Sequence, residues 1–127
     1  MPIKIKPVKR GQPGVAGGGE QKFYASAVMD GELTLEGLTK AIEKICTVSG
    51  ADIRAVLYAL VDVAIDSLAD GTIVRLGDLG SLRISISSEG KATAAEITSS
   101  SVKGASVIFT PGSRIKETLN TVKFKKE

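Results

Sequence analysis

The run from Ala51 to Ala69 constrains this chain more than any other segment. Fourteen of its nineteen residues are apolar. Asp52, Arg54, Asp62, Asp66 and Ser67 interrupt the run too often for a bilayer-spanning segment. The pattern predicts one long helix, about 30 Å at ~1.5 Å per residue, stopped at Asp70-Gly71. Ile53, Val56, Leu57, Leu60, Val61, Ala64, Ile65 and Leu68 make a wide stripe, and Ala55, Ala59 and Val63 fall outside it. A helix apolar almost all round has to be buried on more than one side. A chain of 127 residues is about one domain long and has few other elements to provide that cover. A second copy of the chain is the economical cover, so an intertwined homodimer is expected.

Composition narrows the chemistry. There is no His and no Trp, which removes His-based acid–base catalysis, His-containing triads and His-ligated zinc or haem. Cys46 is the lone cysteine, so neither an internal disulfide framework nor a cysteine metal cluster is available. Its apolar helical context predicts a buried structural thiol. Asp52, Asp62 and Asp66 suit the wet edge of the long helix better than a catalytic pair. No enzyme, cofactor or small-molecule substrate is expected. The N-terminal MPIKIKPVKRGQPG lacks the apolar stretch of a signal peptide, so a cytoplasmic, non-membrane protein is expected.

Charge is distributed unevenly. Residues 1–30 carry a net +3, residues 31–80 a net −4, residues 81–109 a net +1 and residues 110–127 a net +3. An acidic middle between basic ends permits a polyanionic partner at the ends.

Along the chain, Ile3, Ile5 and Pro7 alternate with Lys4, Lys6 and Val8 as in a short edge strand. Gly11 to Gly19 holds five glycines without the spacing of a phosphate-binding loop. Lys22 to Met29 is a second strand candidate, giving a hairpin-like extension over residues 1–30. The remaining domain covers residues 31–127. Leu35, Leu38, Ile42 and Ile45 mark a first helix with Thr34 as its N-cap, and Ser49 with Asp52 caps the second. Beyond Gly71 the period becomes two: Ile73, Val74 and Leu76, then Leu82, Ile84 and Ile86 alternating with Arg83, Ser85 and Ser87. Residues 87–104 are small and polar. Val107 to Phe109 is read as the last strand, and Ile115, Leu119 and Val122 as a short final helix. The expected core comprises Leu38, Ile42, Ile45, Val56, Leu57, Leu60, Ile65, Leu76, Leu82, Ile84 and Phe109.

The order helix, helix, strand pair, long excursion, turn and short helix resembles the HU/IHF family of bacterial histone-like DNA-binding proteins. The segment Asp70 to Leu82 (DGTIVRLGDLGSL) is similar to that family's G-x-x-V-x-L-x-x-F-G-x-F strand pair. Phe109-Thr110-Pro111-Gly112 is similar to its F-x-P-G turn, and Ile115 to Asn120 to its closing helix. The match runs from about Leu33 to Lys123, and the N-terminal segment resembles the added β segment of longer HU-like proteins. The resemblance implies an α+β fold: two N-terminal helices, a three-stranded antiparallel sheet with a β-arm, a short C-terminal helix and an N-terminal β extension. It also implies a saddle-shaped dimer whose arms enter the DNA minor groove. One departure stands out. Family arms carry several cations and an Arg-Asn-Pro tip, but between Ser87 and Gly104 there is no proline, and Glu89 and Glu96 balance Lys91 and Lys103. Apolar wedges are what kink DNA in such proteins, so binding through the body rather than the arm, with modest bending, is expected.

The candidate phosphate contacts are Arg75 and Arg83 on the sheet and Lys91 and Lys103 on the arm. Arg114 and Lys116 stand beside the turn, with Lys123, Lys125 and Lys126 at the C-terminal end. Pro111, Gly112 and Ser113 make up the remaining candidates: the backbone amides after Pro111 stand at a helix N-terminus, where an anion is favoured. The expected function is largely sequence-independent binding of double-stranded DNA by a nucleoid-associated homodimer. The alternative is an HU-fold scaffold that has lost DNA binding and makes protein contacts through its extension.

Overall fold

The computed structural model describes residues 2–12 and 14–127; Met1 and the Pro13 of the glycine-rich loop lie outside them. The fold is mixed α+β and, among the described residues, has three α-helices and two three-stranded sheets. The chain divides into two compact units, residues 1–33 with 118–127, and residues 34–117.

In the first unit, β1 (Ile3–Arg10) and β2 (Lys22–Val28) pair antiparallel, Lys4 opposite Val28 and Arg10 opposite Lys22. This is the expected hairpin. Its third strand lies at the other end of the sequence. Phe124–Lys126, β6 of the chain, runs parallel to β1 with Ile3 opposite Phe124 and Ile5 opposite Lys126. Val107–Phe109 is therefore not the last strand. Three residues carry too little periodicity to announce a strand, and their partner stands about 120 residues away.

In the second unit, α1 (Leu35–Glu43) starts where the caps predict: the Gly37 amide donates to the Thr34 hydroxyl at 3.2 Å. The helix α2 (Gly50–Ala69) begins in the same way, the Asp52 amide donating to Ser49 Oγ at 3.3 Å, and ends before Gly71, whose φ of 82° is left-handed. The first helix is shorter than its apolar spacing suggested. Ile45 and Cys46 lie past its Lys44 C-cap, both amides donating to the Ile42 carbonyl in a closing turn. Cys46 is consequently exposed rather than buried, and Ile45 is 84% exposed. Thr47 and Val48, β-branched and poor at continuing a helix, follow directly.

The strands β3 (Val74–Arg75), β4 (Gly80–Ser88) and β5 (Val102–Pro111) form an antiparallel sheet in that order. The last helix, α3, spans Ser113–Leu119. The apolar core of the single chain is small: Ile53 and Ala64 are its buried hydrophobic residues. Of the expected core, Ile42, Leu57, Leu76 and Leu82 are half-buried, whereas Leu38, Ile45, Val56, Leu60, Ile65, Ile84 and Phe109 are exposed. The reason is geometric. Among the described residues, one 20-residue helix with apolar residues on most sides packs chiefly against a nine-residue neighbour helix and the β3 and β4 strands of a narrow sheet, which leaves much of its apolar surface uncovered. Among the described residues no helix is long and apolar enough to cross a membrane.

Candidate nucleic-acid interface

Register sorts the β3–β4–β5 sheet into two chemically distinct faces. Val74 opposes Leu82, Leu82 opposes Phe109, Ile84 opposes Val107 and Ile86 opposes Ala105, which makes one face apolar. Arg75 opposes Ser81, Ser81 opposes Thr110, Arg83 opposes Ile108 and Ser85 opposes Ser106 on the other. Arg75 and Arg83 therefore share a face, as diagonal neighbours about 7–8 Å apart. Both are exposed, and no acid stands on that face within the three strands. Cations among hydroxyls fit phosphate and sugar oxygens, contacts that position a protein on a duplex without reading its sequence.

Two glycines hold one end of this face in place. A Cβ on Gly112 would run into the Asp78 backbone carbonyl, and one on Gly80, whose φ is 143°, into the Thr110 carbonyl and the Phe109 ring. The backbone of the short 3-10 turn Gly77–Leu79 thus lies directly against the Pro111-Gly112 turn, and the Gly112 amide donates to the Leu79 carbonyl at 3.1 Å. Around this crossing is an open hollow of about 230 Å³ lined by Arg75, Gly77, Gly80, Ser81, Thr110, Pro111 and Gly112. Arg75, Pro111 and Gly112, separate candidates in the sequence, are brought together here. One part of the expectation changes. The Gly112 amide, offered as an anion donor, is already engaged, and the Lys116 amide donates to the Gly112 carbonyl at 3.0 Å.

The other candidates are more dispersed. Arg114 Nη1 stands 3.8 Å from the Asp78 carboxylate, an exposed pair that offsets part of its charge. Ser113 and Lys116 are exposed on α3. Lys91 is paired with Glu89 at 3.4 Å. Lys103 sits at a register irregularity: Ser87 opposes Gly104 and Ser88 opposes Val102, leaving Lys103 without a partner on β4. Lys123 is in the other unit, its carbonyl accepting from the Ile3 amide at 2.8 Å. Lys125 and Lys126 belong to β6.

The segment joining β4 to β5 is more ordered than its serine-rich composition suggests. It holds two 3-10 turns, Ala94–Glu96 and Ser99–Ser101. The Thr98 amide donates to Ser101 Oγ at 3.1 Å in a capping box, Ser101 is buried, and the Glu89 amide donates to the Ser101 carbonyl at 2.8 Å. The hydroxyls of Ser81, Ser106 and Thr110 were missed as site residues. The alternation Arg83, Ser85, Ser87 hinted at the face, but only the pairing register adds β5's contribution. No group of His, Cys, Asp and Glu among the described residues could hold a metal ion.

A family model described as an HU domain fused to wHTH, Ig, or glycine-rich motif matches residues 1–126. A solved structure of a proposed bacterial DNA-binding protein from Bacteroides vulgatus ATCC 8482 superposes with a TM-score of 0.65 at 14% identity, covering 98% of this chain. This chain spans 47% of that protein's length. No curated protein matches the chain.

Proposed function

The chain belongs to this family of HU domains, and from that premise we propose that it binds double-stranded DNA as a non-enzymatic, largely sequence-independent, nucleoid-type architectural protein. The observation carrying the proposal is the acid-free polar face on which Arg75 and Arg83 stand among Ser81, Ser85, Ser106 and Thr110, beside the hollow at Pro111-Gly112. The DNA-binding description of the Bacteroides vulgatus neighbour points the same way. Lys91 spends its charge on Glu89, so the β4–β5 arm contributes less than the body and duplex bending is modest. The test is a duplex titration at several salt concentrations. Affinity should fall steeply with salt, by a slope of about −0.9 for each phosphate contact. Arg75→Ala/Arg83→Ala should lower that slope by about two for one engaged protomer, and equally for unrelated sequences. If the wild-type protein does not bind duplex even at low salt, the reading fails and the scaffold alternative takes its place.

The functional unit we propose is a homodimer joined through α2. Val56, Tyr58, Leu60, Val61, Val63 and Ile65 are between 42% and 65% exposed in one chain and flank the buried Ile53 and Ala64 on α2, exposed apolar surface of the kind that marks an interface. Sedimentation should find a dimer at micromolar concentration. Leu60→Asp should dissociate or unfold it, because the carboxylate would be buried without a partner. A stable, well-folded monomer of the wild-type chain would sink this part of the proposal.

A further inference from the structure

The N-terminal sheet carries a second concentration of charge. Pairing places Lys4, Lys6, Arg10, Lys22 and Lys125 on one side: Arg10 directly opposes Lys22, Lys4 directly opposes Lys125, and Lys6 lies two residues from Lys4. All five are exposed, and among the described residues none is in an ion pair. The three strands contain no acid; Glu127, just past β6, is the one acid that the alternation adds to this side. Like charges directly opposite on a sheet destabilise it. This sheet keeps two such pairs in a unit in which no described residue is fully buried. A face built this way is relieved by a polyanion.

We propose that the five-cation face of the β2–β1–β6 sheet is a second contact surface for the phosphate backbone of double-stranded DNA, separate from the Arg75–Arg83 face. It takes the same ligand as the proposed function and rests on that reading. From Lys4 to Arg10 the strand runs about 20 Å, the length of about six base pairs at ~3.4 Å each, so one segment of backbone can meet several of these cations. Duplex DNA fits better than an anionic bilayer. The most exposed aromatic residues of this sheet, Phe23 and Phe124, pair into the opposite side with Lys9 and Ile3. A bilayer surface would need apolar residues exposed beside the cations to insert between headgroups. Here Val8, Tyr24 and Val28, on the cationic side, are half-buried.

The test is the salt dependence of duplex binding by the full chain in three forms: wild type, Lys4→Gln/Lys6→Gln/Arg10→Gln/Lys22→Gln, and Lys4→Arg/Lys6→Arg/Lys22→Arg. The glutamine variant should lower the salt slope by about 3.6 if all four cations meet phosphates, at ~0.9 per contact, and weaken binding at low salt on every sequence. The arginine variant should keep the wild-type slope. Circular dichroism monitors folding. If the four-fold variant unfolds, Lys6→Gln alone decides, with a slope lower by about one. An unchanged slope in the glutamine variant, alongside a lowered slope in Arg75→Ala/Arg83→Ala, overturns this inference and leaves the proposed function standing. The same unchanged slope together with binding to phosphatidylserine vesicles overturns it in favour of a membrane surface. A wild-type chain that binds no duplex overturns both.

Discussion

The two sheets are alike in size and opposite in construction. In β3–β4–β5 the polar face holds two arginines among hydroxyls, and its end is clamped where Gly80 and Gly112 let two backbone segments, residues 77–80 and 109–112, meet. In β2–β1–β6 the charged face holds five cations around half-buried Val8, Tyr24 and Val28, arranged by strand alternation and by one pairing between distant ends of the sequence. The first sheet invests in position and the second in charge. The difference teaches that steric crowding around a few small residues fixes where a cation sits, whereas alternation alone only fixes on which side it sits.

That contrast can be broken at its firmest point. Gly112→Ala should cost about 2–3 kcal/mol in denaturant unfolding, since the new methyl group meets the Asp78 carbonyl and the backbone must yield. An unchanged unfolding midpoint would mean that the clamp is loose and the comparison misplaced. In the N-terminal sheet the sign should reverse. Lys22→Gln removes a like charge directly opposite Arg10 and should raise stability by a few tenths of a kcal/mol at low salt, an effect that fades as ionic strength rises. Thermal unfolding at two salt concentrations reads it. The smallest effect is expected at Lys91→Ala. With its charge already held by Glu89, duplex affinity should stay within about twofold of wild type; abolished binding would move the principal contact to the segment joining β4 to β5.

Local signals were legible in the sequence and long-range ones were not. Thr34 and Ser49 announce both helix starts because a cap acts over three residues. The excess of apolar residues in α2 is likewise local, but which of them the single chain covers is not: Val56 and Leu60, expected in the core, are exposed. Ile45 misled because apolar spacing continued for one step after the backbone had already turned at Lys44. Arg75 and Arg83 could be named from the sequence, but their shared face depends on register with Ser81 and Ile108. The five-cation face was invisible for the same reason: Lys125 joins Lys4 only through a pairing that no local pattern encodes.

The parallel pairing of β1 with β6 also sets an order of events. Residues 3 and 124 are joined across nearly the whole sequence, and closing a loop of that length costs on the order of 4 kcal/mol in chain entropy. During synthesis the β1–β2 hairpin can form early, but the strand that covers the other side of β1 emerges about 95 residues after β2. Until then β1 presents an unpaired edge, the kind of surface on which nascent chains mispair. Lys4 and Lys6 stand on that strand, and charge on an open edge strand is what disfavours such mispairing until Phe124–Lys126 arrives.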